Sequence, residues 1–313
     1  PVHGRVSAPK RLAVLEEVEP GWRESFAGRL GVDRTSYYRQ PIHQQTKDDA
    51  DTAALMTAHE GHECYGVARL AIELGWSEAK TRRIRTLAGI TIQTRTKQRK
   101  TGKSAAPEIP APDNALKPYA QPRDESRPQD GMDYSGMTNS GAWVQDFTYL
   151  WVNHSWYYLA TVLDLKTRQI VGWQFGMSHS STLTYSALLD ALSKHDPPSM
   201  LHSDQGSEYL SHKHQDLCDR LEITLSCSKR ASPWQNGFME RWFGNFKLEL
   251  GNLNRHEDLA RFHEAVAMAI YYYNHERIHL SLKMSQGAYA ARLKQSSFLG
   301  AKRIDRVLQK ARG

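Results

Sequence analysis

The sequence predicts an α/β protein, a mixed five-stranded sheet with flanking helices, preceded by a small helical region of basic character. Three observations carry this expectation. Between residues 142 and 175 three runs rich in Val, Ile, Tyr, Trp and Thr are separated by short turns. After them, apolar runs of helical period alternate with short strand-like runs. A proline-rich stretch divides this part from an N-terminal part of different texture.

At 313 residues the chain exceeds what one core usually organises, so two or three units are expected. From Ala8 to Tyr38 the pattern is helical: Leu12, Leu15 and Val18 share a face, and Trp22, Phe26 and Leu30 continue it past Pro20. Gly31 interrupts, and Asp33 can cap the short stretch Arg34 to Arg39. A helix-turn-helix-like unit and an ordinary helical hairpin both suit this pattern. A second helical stretch spans about Asp48 to Ile90, divided by Gly61, Gly66 and Gly75. Within it Ser77 caps a helix whose Ile84 and Leu87 alternate with Lys80, Arg82, Arg83 and Arg85. Residues 77–103 hold nine Lys or Arg against the single acid Glu78, a density that suits a phosphate backbone or a major groove, so these four side chains are candidate DNA contacts. Residues 107–128 contain six of the 13 prolines and read as a linker.

Beyond the linker, three strands are expected over Ala142 to Leu150, Trp156 to Leu165 and Gln169 to Phe175, with turns at Asn153-His154 and Lys166-Thr167. Thr182 to Ser193 reads as a helix, Ser199 to Ser203 as a strand, Lys213 to Leu221 as a helix and Ile223 to Ser226 as a strand. A further helix is entered through Asn236, with Phe238, Trp242, Phe246 and Leu250 on its core face. The expected divisions are therefore a helical segment at 1–45, a basic helix-turn-helix-like region at 46–103, the linker at 104–138, the sheet-bearing core at 139–295 and a basic tail at 296–313.

The formal charge of +7 makes a polyanion a natural partner, although charge alone is equally met by solubility. Three scattered cysteines without a CxxC pair suit a reducing cytosol, and no apolar run reaches the roughly 20 residues of a membrane helix. A cytoplasmic, nucleoid-associated protein without a membrane partner is expected.

Three acids carry the chemistry. Asp146 lies within the first apolar strand, where an ionised side chain needs compensation. Asp204 ends the fourth strand, where such sheets present ligands, and Gly206 allows a sharp turn behind it. Glu240 stands on the helix face away from the predicted core. Two carboxylates from strands and one from a helix suit hard, oxygen-seeking cations, and two such ions about 3.5–4 Å apart would support in-line phosphoryl displacement. Lys229, Arg230, Asn236, Arg241 and Lys247 surround Glu240 in sequence and are candidate DNA contacts.

Asp146 in Trp-Val-x-Asp-x-Thr-Tyr, the His-Ser-Asp-x-Gly-Ser-x-Tyr turn at Asp204, and Asn-Gly-x-x-Glu-Arg with 35 residues between Asp204 and Glu240 resemble an integrase core. More narrowly, the chain resembles the catalytic, second-reading-frame (OrfB-type) protein of the insertion-sequence transposases closest to retroviral integrases. Ser36-Tyr37-Tyr38, Tyr65-Gly66-Val67-Ala68-Arg69-Leu70 and Tyr273-Asn274-His275-Glu276-Arg277-Ile278-His279 are similar to further signatures of that family. Ile278 and Ser285-Gln286 stand where the family has proline and Thr-Pro, and Val67-Ala68 replaces larger or basic residues.

The resemblance implies a ribonuclease-H-like fold, Mg²⁺ or Mn²⁺ as two ions held by Asp146, Asp204 and Glu240, and strand cleavage and transfer at element ends. It also implies double-stranded DNA as element ends and target, a homo-oligomer on DNA, and a first-reading-frame partner protein fused to this chain or acting beside it. Two alternatives stay open: a nuclease of the same fold without strand transfer, and a catalytically silent, transposase-derived DNA-binding regulator. Glu208 and Asp164 are read as water-facing turn acids. His202, His212, His214 and Cys218 match no compact zinc site, and neither does His59-x-x-His62-x-Cys64.

Overall fold

The structure, a computed structural model, describes residues 14–15, 17–32, 41–92, 111–119, 121–122, 132–133, 141–228, 236–256 and 258–296. The chain forms two compact units, Pro1–Ile92 and Gln93–Gly313, so the division falls before the basic run of residues 95–103 rather than after it.

In the first unit a 3₁₀ turn, Pro20–Trp22, leads into α1, Arg23–Arg29. Leu12 and the stretch holding Ser36-Tyr37-Tyr38 lie outside the described residues. Three helices follow: α2 at Pro41–Gly61, α3 at Val67–Leu74 and α4 at Glu78–Leu87. They pack on one another around Leu55, Leu70 and Ile84, all fully buried. Helix α2 starts before the expected Asp48 because its first residues are polar and carry no apolar period. Between α3 and α4, Gly75 takes the left-handed conformation (φ 65°) that ends a helix, and the Ser77 hydroxyl accepts from the Lys80 amide at 3.2 Å to start the next.

The second unit is built on a five-stranded sheet. Its strands are β1 (Ala142–Val152), β2 (Ser155–Asp164), β3 (Ile170–Gly176), β4 (Met200–Ser203) and β5 (Thr224–Cys227). Their spatial order is β3-β2-β1-β4-β5. The first three pair antiparallel, and β4 and β5 join parallel to β1. Helices α5 (Ser181–Leu192) and α6 (His212–Arg220) make the parallel crossovers, and α7 (Gly237–Leu250) and α8 (Leu259–His275) follow β5. Asn153 and His154 both have positive φ, 44° and 63°, as a two-residue turn matching strand twist requires, so the β1–β2 register follows directly from the turn.

Alternation along β1 feeds two cores. Val144, Leu150 and Val152 face Met239, Trp242, Phe243 and Phe246 of α7 and Phe262, Val266 and Ile270 of α8. On the other face Trp143 joins Ala160, Val162 and Val171 of the sheet and Leu183, Ala187, Leu188 and Ala191 of α5. Gly172 is what lets α5 lie so close, because a Cβ there would collide with the Ala187 carbonyl and the Ala191 amide.

Helix α8 closes the first core by gripping β3. The Asn274 amide donates to the Ile170 carbonyl at 2.8 Å and its oxygen accepts from the Ile170 N–H at 2.9 Å. The Tyr273 hydroxyl donates to the Arg168 carbonyl, and Arg277 forms a buried ion pair with Glu249 of α7. The Tyr-Asn-x-x-Arg signature is thus a fold clamp.

The stretch expected as a linker, 104–138, differs where it is described. Leu116 is 1 % exposed within the α7–α8 core, the Ala115 N–H donates to Ser226 Oγ at 2.9 Å, and the Cys227 N–H donates to the Asp113 carbonyl. Residues 111–116 therefore cover part of the edge of β5. A two-residue ladder also pairs Gln121–Pro122 with Met132–Asp133. One buried leucine among prolines gives no periodic signal, which is why the sequence hides this packing. No helix of the described residues is long and apolar enough to cross a membrane. Residues 297–313, most of the basic tail, lie outside the described residues.

Candidate active site

Strand β1 brings Asp146 to the middle of the sheet, β4 ends immediately before Asp204, and α7 carries Glu240 in its first turn. Each position has a local cause. The β1 run alternates apolar residues around Asp146, Gly206 turns the chain after β4, and α7 starts at Gly237 because its apolar face finds the core. A Cβ at Gly206 would run into the Glu208 carboxylate and meet Asp204 Oδ1 at 3.0 Å, so both side chains would have to shift to admit one.

The Asp146 carboxylate accepts from the Phe147 N–H at 2.8 Å and from the Asn236 side-chain amide at 3.1 Å. Asp204 Oδ1 accepts from the Gly206 N–H at 2.9 Å. Both carboxyls sit above their ordinary range. For Asp146 the rise is large: burial is its first cause, followed by repulsion from Asp204, with Glu240 and Glu208 adding to it. For Asp204 the protein wall behind it contributes most, and Glu208 adds repulsion. The field at Asp146 therefore registers all of the proposed acids. Among the described residues, however, no group of three or more His, Cys, Asp and Glu side chains stands close enough to hold a metal ion.

Asn236 departs from its expected role. It is 6 % exposed, occupies the N-cap position of α7 without capping it, and directs its amide at Asp146 rather than outward. Lys247 is half-buried, and desolvation lowers its ammonium. It follows Glu240 by seven residues, two helical turns, and so shares its side of α7. Arg241 is exposed beside Glu240, and Lys229 and Arg230 lie outside the described residues.

The basic candidates of α4 divide into two pairs. Lys80 is bound to Asp51 at 2.8 Å and lies over the Trp76 ring, and Arg83 makes a two-pronged contact with Asp48. Arg82 is exposed and Arg85 half-buried, and neither meets an acid among the described residues. Sequence reasoning missed the α2 acids because they lie 29 and 35 residues before their partners.

It also missed a polar layer behind the acids. Gln145 bonds His214 at 2.8 Å, and His202 Nδ1 bonds Ser226 Oγ at 2.8 Å. Burial holds both imidazoles at about 4, so they are neutral. The Tyr209 hydroxyl is buried and finds no partner among the described residues, and burial, then Asp146 and Asp204, raise it well above its usual range. His202, His214 and Cys218 are fully buried.

Residues 139–233 match a family model described as an integrase core domain, and residues 221–286 match a second model of the same description. An uncharacterized 31 kDa protein of insertion element IS600 from Shigella sonnei is 27% identical over 269 residues, spanning 81% of this chain and 92% of its own. The transposase InsF of insertion sequence IS3A from Escherichia coli (strain K12) is 25% identical over 229 residues, 70% of this chain and 76% of its own. The transposase of insertion sequence element IS904 from Lactococcus lactis is 32% identical over 143 residues, 45% of this chain and 56% of its own. The solved HTLV-2 integrase catalytic core in complex with magnesium is 21% identical, with a TM-score of 0.40, over 48% of this chain and 95% of that one.

The mixed sheet, with Asp146 inside β1 and Asp204 just after β4, lies within the stretches that match an integrase core domain. The relatives that the chain resembles include transposases of insertion sequences.

Proposed function

We propose that the protein is a polynucleotidyl transferase that cleaves DNA at the ends of an insertion sequence and joins the freed strand to target DNA. The observation that supports this most is the electrostatic one. Asp146, on the central strand, is raised by burial and by the combined repulsion of Asp204, Glu240 and Glu208. Carboxylates that repel one another, with N–H donors on Asp146 and Asp204, are oxygen donors of the kind a hard divalent cation takes, and a bound cation would draw them together.

Asp146, Asp204 and Glu240 would hold Mg²⁺ or Mn²⁺, as two ions. When bound, such ions activate the attacking oxygen and stabilise charge on the leaving oxygen. The chain's own contribution is orientation. Phe147 N–H and the Asn236 amide fix the two oxygens of Asp146, and the Gly206 N–H fixes one of Asp204. Lys247, partly desolvated on the Glu240 side of α7, offers a cation to a phosphate of the strand being cut, and Arg241 another. Arg82 and Arg85 of α4 are the proposed contacts of the first unit with element-end DNA, since Asp51 and Asp48 already occupy Lys80 and Arg83. A homo-oligomer on DNA and a first-reading-frame partner protein complete the proposal.

The test incubates the full chain with labelled candidate end DNA and Mg²⁺, and compares the parent with Glu240→Gln. Cleaved and joined products from the parent alone support the proposal. Equal products from both proteins defeat it, and cleavage without joining reduces it to a nuclease.

A further inference from the structure

The β1–β2 hairpin carries an uncovered aromatic ridge that the triad does not use. Trp151 and Trp156 face each other across the strands, as do Tyr149 and Tyr158, and Phe147 continues the row along β1. The rings touch in sequence: Trp151–Trp156 at 4.8 Å, Tyr149–Trp156 at 6.2 Å, Tyr149–Tyr158 at 5.4 Å and Phe147–Tyr149 at 5.5 Å. Tyr149, Trp151 and Trp156 are 48 %, 44 % and 53 % exposed, far more than the packing of such rings calls for.

The ridge is rigid. Below it the strands pair in continuous register, and its tip is tied down by Asn153, whose N–H donates to Asn254 Oδ1 at 2.9 Å and whose side-chain amide donates to the His256 carbonyl at 3.0 Å. The ridge is also continuous with the candidate active site. His179 stacks on Phe147 at one end and lies 3.6 Å from Glu208, which belongs to the same turn as Asp204. Partial burial, then Glu208, Tyr158, Asp204 and Asp146 in turn, raise the Tyr149 phenol, so that ring stands within the field of the site. By strand alternation the ridge stands on the α5 face of the sheet while Asp146 stands on the α7–α8 face, so the link between ridge and site runs through His179 and the Asp204–Glu208 turn.

We propose that this ridge is a stacking platform for unpaired bases of the DNA whose strands are cut at the neighbouring acids. The inference rests on the DNA-cleaving reading above. The occupant is chosen by contiguity with that site, by the +7 charge of the chain, and by ring type. The exposed row is Tyr and Trp without an aliphatic side chain among them, and flat rings on a stiff sheet accept any base face without selecting sequence. Strand cleavage leaves unpaired nucleotides beside the cut, and a platform reached past the Asp204–Glu208 turn would hold them apart from the complementary strand.

The test measures fluorescence anisotropy in EDTA with two labelled DNAs, a fully paired duplex and the same duplex ending in a run of unpaired thymines. The parent is expected to prefer the forked DNA. Trp151→Ala combined with Trp156→Ala is expected to weaken forked-DNA binding by on the order of tenfold and leave paired-DNA binding unchanged. The double Trp→Phe variant, which keeps flat rings and controls for misfolding, is expected to retain the preference. Equal losses on both DNAs, or no loss on either, overturn the proposal. So does a shift in sedimentation with DNA binding intact, which would give the ridge to a second copy of the chain. A parent that prefers forks but cleaves nothing keeps the platform and sinks the cleavage reading. A parent that cleaves without fork preference does the reverse.

Discussion

The acids of the two units live under opposite conditions. In the first unit Asp48 and Asp51 of α2 each meet a cation of α4 directly, at 2.6 and 2.8 Å. In the second, Asp146 and Asp204 meet only neutral N–H donors among the described residues, while neighbouring carboxylates push them upward. An acid paired on its own scaffold has its charge settled by folding, and its partner is correspondingly less available to DNA. Acids left to repel one another keep a demand for a cation that the described residues do not meet. The same contrast exists inside the core, where Glu249 is matched by Arg277 beneath the surface.

Five expected outcomes break or sharpen this contrast. Asp204→Asn removes one of the unmatched acids, and cleavage of end DNA in Mg²⁺ is expected to fall by on the order of a thousandfold, read from initial rates, with urea unfolding little changed. Retained cleavage would place Asp204 with the settled acids. Arg277→Ala strands Glu249 without its partner, and the urea midpoint is expected to report a loss of about 3–5 kcal/mol. A loss no larger than that of a surface pair would erase the distinction between the two settings.

His214 tests the neutral layer behind the acids. Around it stand Gln145 and the rings of Tyr185 and Tyr209. Burial lowers its imidazole from 6.5 to about 4, so its neutral form is favoured by folding. That contribution is complete above pH 6.5 and fades as pH falls toward 4, a loss of up to about 3 kcal/mol. Unfolding in urea at stepped pH should show this decline, and His214→Gln should flatten it. Asn236→Ala withdraws one of the two donors to Asp146, and a roughly tenfold fall in cleavage with intact DNA binding is expected, as for partners of metal ligands. Weakened DNA binding instead would return Asn236 to the group of direct contacts. The smallest effect is expected from Asp51→Asn, which releases Lys80: under about 1 kcal/mol of stability, together with tighter, more salt-sensitive DNA binding.

What the sequence made legible follows the range of the forces involved. The strands of the β1–β3 meander were readable to within two residues because alternation and the Asn153-His154 turn are local signals. The core face of α7 was readable because Trp242, Phe246 and Leu250 recur at helical spacing, and all three are buried. The positions of Asp146 inside β1, Asp204 just after β4 and Glu240 in the first turn of α7 were readable from the same local patterns, whereas their joint role stays a proposal. What stayed hidden joins residues far apart. Asn236 looked like a helix cap and a DNA contact, yet its amide reaches Asp146 across 90 residues. Asn274 grips Ile170 across 104 residues, and no local pattern reveals such a bond. Lys80 and Arg83 looked available because their acids belong to an earlier helix.

The dual position of Asn236 has a mechanical corollary. It stands at the threshold of α7 and also holds Asp146, so the four-residue interval to Glu240 works as an index between the first and third acids. Each residue added inside that interval would swing Glu240 by about 100° around the helix axis, whereas residues added ahead of Asn236 would lengthen only the approach. The spacing that matters for the pair is thus the short one within the helix.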